Sequence, residues 1–574
     1  MIIERFDTYR YSIRSNHFSP ALVRAAKSIP GMRFDERTTA WYGYPDAVAV
    51  VRDLLVAQGI TVTGDLPGPY SWRHQRFSVA WSAEGLRPYQ EEGVRFLIAN
   101  AKSGALLADG MRLGKSCQST RAARAFKEKT LIIVPSLARG VWARPKGHPS
   151  GMGEVARWWP EAAPVYAPKG VLDPQPIPEN TMCVVIHNEI VYAWVEALKK
   201  WGFKTLIVDE CHATLVGAQK SRRGKAITEL RSVATYVMFL SGTPMPNRVR
   251  DLWPIMEILR PGGFGFFFVN PPQEGETDSR GRPKIPMAGF SNRYCGAFQF
   301  DVGVGPDKQT YWNRDGASEQ EELHRRMQYF MLRRIKSEVD DQLPEKTRQI
   351  IDVDIAPGRT KPPTFGITRD KKELRRALDL AADAKIRSVV DLLKMHLLEG
   401  SKVVCFTYRR KFAERIVSGI RAVKSAALHA NFIHGNLPQA KRDARITQWR
   451  ELDGAGLLCA TYKTASMAIN LAVAPVAVFA EFTHEPANYL QAEERLYEFG
   501  GRKTLMQYVA ARGTTDELIM SAVVRKLDTF DAVVGKGDRD LRSTLAAKKT
   551  PRDALAELSK ALEKMIAAKA KGDE

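Results

Sequence analysis

The sequence predicts an α/β protein made of two tandem units, each built on a parallel sheet, with a helical insertion between them and a small α+β module in front. Three observations carry this. A chain of 574 residues is too long for one core and should hold about three to four domains. TLIIVPS, MCVVIHN, TLIVDE and YVMFLSGT are short apolar runs that end at polar or small residues near 135, 187, 209 and 241, with helical stretches between them. A second series follows in KVVCFTY, NFIHGN, GLLCATY, PVAVFAEF and LMQYVAA. Such runs read as strands buried on both faces, the pattern of a parallel sheet covered by helices.

In chain order, residues 1–78 form the N-terminal module, which closes at the Pro- and Gly-rich DLPGPYSW. Residues 79–260 form the first unit, 261–365 the insertion, 366–532 the second unit and 533–574 a charged tail with one surface helix and a frayed end. Within the insertion, 260–300 is rich in Gly, Pro and Phe and reads as irregular. EELHRRMQYFMLRRIKSEV then reads as one basic amphipathic helix. Leu323, Met327, Phe330 and Ile335 recur near helical spacing, while Arg325, Arg326, Arg333, Arg334 and Lys336 supply charge.

Lys+Arg outnumber Asp+Glu by 86 − 64 = 22, and the pI is near 9.6. An excess this large favours a polyanionic partner, and nucleic acid is the commonest. No apolar run reaches a membrane-spanning length, and MIIERFDTYRYSIR lacks the apolar core of a signal peptide. The six cysteines, at 117, 183, 211, 295, 405 and 459, include no C-x-x-C pair, so a zinc site or disulfide framework is not expected. A cytoplasmic, nucleoid-associated location (host cytoplasm if phage-encoded) is the expectation, with no membrane partner.

The chemistry concentrates in three stretches. Gly114-Lys115-Ser116 ends LADGMRLGKS, which follows an apolar run and precedes a helical pattern. A phosphate-binding loop has that context: backbone N–H groups and the helix N-terminus cradle phosphate, Lys115 reaches the outer phosphates, and the Ser116 hydroxyl can bind Mg²⁺. The usual loop pattern starts with glycine where this chain has Asp109. TLIVDECH ends a buried strand on Asp209-Glu210, where one carboxylate can hold Mg²⁺ and its neighbour can orient or deprotonate water. YVMFLSGTPMPN ends the next strand in a turn of small residues.

In this order the motifs resemble those of the Swi/Snf family of DNA-dependent ATPases in helicase superfamily two. The family's D-E-M-G-L-G-K-T corresponds to DGMRLGKS, so Asp109 is expected, and the departures are Gly110 and Arg112. LRPYQEEGVRF resembles the opening segment, which implies that Gln90 contacts adenine. DECH stands for D-E-A-H, LSGTP for the motif coupling ATP to DNA, and ATYKTASMAINL and QAEERLYEFGG for motifs five and six. The resemblance runs from about 84 to 530. It implies two RecA-like lobes that use ATP and Mg²⁺. Gln90, Asp109, Gly114, Lys115, Ser116, Asp209 and Glu210 come from lobe one, and Arg495 reaches across from lobe two. It also implies DNA contacts at Thr243, Arg334 and Lys463.

FSNRYCGAF, WNRDGASEQEELHRRMQYFMLRRIKSEVDDQLPEKTRQI and VFAEF further resemble the HARP-type annealing helicases, and FSPALVRAAKSIPGMRFDERTTAWYGYP resembles their N-terminal HARP module. What this implies is an ATP-dependent translocase on double-stranded DNA that remodels or anneals branched DNA, the N-terminal module engaging the branch. A DNA-binding clamp with weak ATPase, or a translocase that displaces proteins such as RNA polymerase, stays open. Strand separation ranks lower, because no wedge is recognisable in the sequence. The expected partners are duplex and branched DNA, with single-stranded DNA-binding or replication proteins as further candidates, and the chain is expected to be a monomer. In motif six the family's second arginine is replaced by Glu498, and Arg502 is the candidate substitute.

Overall fold

The computed structural model describes residues 1–75, 77, 79–148, 151–168, 174–215, 221–267, 288–302, 308–339, 346–353, 371–422, 428–465, 470–496, 503–535 and 539–546. The chain divides into two compact units, 1–335 with 529–536, and 336–528 with 537–574.

The first unit opens with β1 (Ile2–Arg5), β2 (Tyr11–Arg14), α1 (Pro20–Ser28), β3 (Arg33–Asp35), β4 (Ala40–Gly43) and α2 (Pro45–Val56). The four strands form an antiparallel sheet in the order β1-β2-β4-β3. Pro20 and Pro45 stand in the first turn of their helices, where a missing N–H costs nothing, and Ser19 caps α1 by accepting from Leu22 N. Ile3, Ile13 and Trp41, on one face of the sheet, share a core with Leu22, Val48 and Val51 of the helices.

α3 (Pro88–Asn100), β5 (Ala105–Leu107), α4 (Lys115–Phe126), β6 (Thr130–Val134), β7 (Cys183–His187), β8 (Thr205–Val208) and β9 (Tyr236–Leu240) build the larger layer. A separate antiparallel pair follows, β10 (Phe298–Val302) with β11 (Gln309–Asn313), and then β12 (Met331–Leu332). The main sheet runs β12-β5-β9-β8-β6-β7 and every neighbouring pair is parallel. All of its strands therefore end at one edge. The phosphate loop, the SGT turn and Asp209-Glu210 leave three adjacent strands there (β5, β9 and β8), the place where open α/β sheets bind ligands.

The single helix expected over EELHRRMQYFMLRRIKSEV is three elements, the last a short helix Lys336–Val339. A helix spans Gln320–Met327, and Met331 and Leu332 then pair with Leu106 and Leu107 as β12. Phe330, Met331 and Leu332 are all buried, which a strand at a sheet edge satisfies and one stripe of a surface helix does not.

The N-terminal module is tied to the rest of this unit through charge. Asp46 of α2 accepts from Arg326 Nε at 2.8 Å and from Arg260 Nη1 at 3.1 Å. None of the three side chains is more than 4% exposed. Arg326 also donates to Pro30 O and Gly263 O and lies 4.2 Å from the Phe264 ring centroid.

The second unit contains β13 (Lys346–Val353), β14 (Lys402–Thr407), β15 (His429–Ile433), β16 (Gly456–Thr461), β17 (Val476–Phe479) and β18 (Thr504–Ala511), again all parallel, in the order β13-β18-β17-β14-β16-β15. Its core stacks Phe479 on Tyr508 at 4.3 Å. A buried Arg348–Glu493 pair joins β13 to the helix Pro486–Glu494. Leu541 and Leu545, on the helix Arg539–Ala546, are buried in the same core. The two parallel sheets hold the strands the apolar runs predict, and the N-terminal segment forms the expected small α+β fold.

Candidate nucleotide site

The phosphate loop is shaped by its backbone. Gly114, the N-cap of α4, has φ +80°, a left-handed conformation that favours glycine. Arg112, one of the two departures from the family pattern, has φ +62°. That left-handed conformation costs an L-residue about 1–2 kcal/mol, which a glycine avoids. Lys115 Nζ is nearly enclosed and donates to Asp109 O at 2.9 Å and Gly110 O at 3.0 Å. The ammonium thus sits among the loop's own carbonyls. Ser116 follows it in the first turn of α4.

Asp109 and Arg334 meet across 225 residues. Asp109 is fully buried, and its Oδ1 accepts from Arg334 Nε at 3.0 Å while its Oδ2 accepts from Nη2 at 2.5 Å. Arg334 also donates to Gln118 Oε1 at 2.9 Å and to Tyr89 O, and its backbone carbonyl accepts from Gly110 N. Arg334 is only 7% exposed, so its guanidinium lies inside the fold behind the loop rather than on a surface. Arg333 Nη1 donates to Ala108 O at 2.8 Å and Gly242 O at 3.3 Å, pinning the loop to the SGT turn. A Cβ on Gly242 would come within 2.8 Å of Met111 Cγ and 3.5 Å of Lys115 Nζ. Close approach of the two motifs needs that glycine.

The acidic pair faces the same place. Asp209 Oδ2 accepts from Trp142 Nε1 and Oδ1 from Glu210 N, both at 2.9 Å. Burial, and after it the charge of Glu210, push the Asp209 carboxyl up to about 6. Glu210 sits in a strained backbone conformation, φ +45°, and its Oε2 is buried with no hydrogen-bond partner among the described residues. His212 Nδ1 lies 3.4 Å from that oxygen, within ion-pair distance but without hydrogen-bond alignment. Burial pushes His212 down to about 4, so at neutral pH the ring is uncharged. Its Nδ1 shares a 2.8 Å hydrogen bond with Ser241 Oγ, which accepts from Thr243 N at 3.0 Å. One chain of contacts thus runs from the acidic pair to the SGT turn.

A hydroxyl, a carboxylate and an orphaned carboxylate oxygen suit a hard divalent cation. Among the described residues no three His, Cys, Asp or Glu side chains stand together as a metal cage.

Gln90 is half-buried against the loop, donating to Leu113 O and accepting from Arg87 N. Thr243 is 3% exposed. In the second unit Lys463 is exposed on the short helix Tyr462–Ala465, and Arg495, half-buried, follows the helix Pro486–Glu494. Glu498 and Arg502 lie outside the described residues. Arg333, Gln118, Trp142 and His212 all support the site, and the sequence reading assigned a role in it to none of them.

The SNF2-related domain model matches residues 89–362, and the helicase conserved C-terminal domain model matches 384–500. The chain is 26% identical over 483 residues to the DNA annealing helicase and endonuclease ZRANB3 of Mus musculus, covering 80% of this chain and 42% of that one. It is 27% identical over 478 residues to the SWI/SNF-related matrix-associated actin-dependent regulator of chromatin subfamily A-like protein 1 homolog of Caenorhabditis elegans, covering 78% and 62%. The chain thus spans about half the length of the curated relatives it matches. Among solved structures, the Sulfolobus solfataricus SWI2/SNF2 ATPase core in complex with dsDNA matches at 20% identity and a TM-score of 0.36, covering 82% of this chain and 97% of that one. The chain thus carries an SNF2-related domain followed by a helicase conserved C-terminal domain, the order in which its motifs run.

Proposed function

We propose that the protein is an ATP-dependent motor that moves along duplex DNA and remodels or anneals its branches. The observation that carries this reading is the convergence of Lys115, Asp209-Glu210 and the SGT turn at one sheet edge. The net charge of +22 and relatives named annealing helicases support DNA as the partner.

Bound Mg²⁺ and ATP supply a polarised γ-phosphorus. Lys115 and the free N–H groups of the α4 N-terminus bind and neutralise the outer phosphates. Ser116 and Asp209 hold the ion, while Trp142 fixes the Asp209 carboxylate. Glu210 orients the attacking water and takes its proton, a role that suits a buried oxygen with no other partner. Asp109 and Arg334 act through the loop as an internal strut, positioning it rather than touching nucleotide or DNA. Gln90 contacts adenine, and Arg495 contributes a cation to hydrolysis. Lys463 and the Thr243 turn link the site to DNA, with phosphate contacts that make binding salt-dependent and largely indifferent to sequence.

Two variants test the assignment. Lys115→Ala should weaken nucleotide binding about 10- to 100-fold, the loss of a charge-assisted contact. Glu210→Gln should bind nucleotide normally and turn over about 10²- to 10⁴-fold more slowly. Wild-type turnover in Glu210→Gln would remove the acidic pair from the chemistry.

A further inference from the structure

β10 and β11 form a two-stranded sheet of their own, paired with neither six-stranded sheet. The register puts Phe300 opposite Tyr311, and Phe298 lies on the same face two residues along, while Gln299 opposite Trp312 and Asp301 opposite Thr310 take the other face. The three rings form a row: Phe298 to Phe300 at 6.2 Å, then Phe300 to Tyr311 at 6.1 Å with planes 29° apart. Cross-strand aromatic pairs help hold an isolated hairpin, which is otherwise marginal in water. That need explains Phe300 and Tyr311. It does not explain Phe298, which extends the row and is 54% exposed, beside a Tyr311 that is 41% exposed.

Phe298, tilted 56° to Phe300, and Tyr311 present exposed ring surface, which is complementary to another flat π system. Lys308 precedes β11, in a chain of net charge +22, which favours a polyanion that carries such rings. Lys308 pairs with Asp301 at 2.9 Å, but both are well exposed, so a phosphate can take that lysine at little cost. DNA bases inside a duplex are already stacked on both faces. An unpaired base at a branch has a face to offer.

We propose that Phe298, Phe300 and Tyr311 form a base-stacking site for an unpaired nucleobase at a DNA branch, the wedge-like element not recognisable in the sequence. The site rests on the motor reading above and names the feature of the branch that is read. Duplex tracking by the two α/β units does not require it.

The test uses the full chain and a forked DNA with 2-aminopurine at the first unpaired position, against a linear duplex of equal length. Base–aromatic stacking changes affinity about 5- to 150-fold per base on removal of the ring. Phe298→Ala and Tyr311→Ala should therefore lose the fluorescence quench and weaken fork binding by a factor in that range. Linear-duplex binding and duplex-stimulated ATP turnover should stay at wild-type level. Phe298→Tyr should keep the quench, and Gln299→Ala, on the opposite face, should behave as wild type. Unchanged quench and fork preference in both alanine variants, or equal weakening on fork and linear DNA, overturns the site and leaves the motor reading standing. A wild-type chain that binds no DNA overturns both.

Discussion

Asp46→Ala removes the one carboxylate that two buried arginines share. Arg326 would keep Pro30 O, Gly263 O and the Tyr294 hydroxyl, and Arg260 would keep the Tyr44 ring at 4.1 Å and the Phe330 ring at 4.8 Å. Neither retained set carries a full negative charge. Breaking a buried ion pair from one side costs about 3–5 kcal/mol, and the surviving acceptors place this case near ~3 kcal/mol. At an m-value of ~3 kcal/mol/M in urea, that is a midpoint shift of about 1 M. Ten of the eleven tryptophans lie in residues 1–335, so tryptophan emission follows the first unit's transition, and Trp449→Phe silences the remaining one. Asp46→Asn should lose less, because it keeps an acceptor. A midpoint unchanged by Asp46→Ala would refute the claim that this charge cluster binds the N-terminal sheet and helices into the unit. Deleting residues 1–78 should cost more than the point variant, since Asp46, Pro30 and Tyr44 leave together. Fork preference is therefore better tested with point variants than by truncation.

Arg334→Ala leaves Asp109 buried without its cation, so nucleotide affinity measured without DNA should fall; a variant that lost only DNA binding would contradict the strut. Burial pushes the Glu257 carboxyl up to about 7, with no partner on Oε2 among the described residues. Its folded value lies above its unfolded one, so the stability of the first unit should be unpenalised below about pH 4.5 and decline as pH rises through about 7. Glu257→Gln, which keeps the acceptor for Gly262 N, should flatten that decline in urea melts across pH; an identical pH profile would show that the carboxyl is solvated.

The layered core was legible because buried parallel strands are apolar throughout. TLIIV, CVVIH, TLIV and YVMFL are strands as they stand, and the acidic pair and the SGT turn sit where TLIV and YVMFL stop. The supports were not legible. β12 is two residues long, below any periodicity, and its neighbours Arg333 and Arg334 read as surface charge because their acceptors lie more than 90 residues away. Long-range ion pairs such as Asp46–Arg326 leave no local pattern. The β10–β11 pair did leave a partial one: FQFDV alternates, and the β-prone QTYWN follows a Gly- and Pro-containing stretch of sequence. The Gly- and Phe-rich context masked it.

ATP turnover by the full chain, measured with and without linear and forked duplex across a salt titration, tests the DNA-driven motor most directly. Turnover should rise on adding DNA and rise further with forks. The stimulation should fall steeply with salt, as counterion release requires, and be absent from Glu210→Gln. Equal turnover with and without every DNA form at low salt would contradict it.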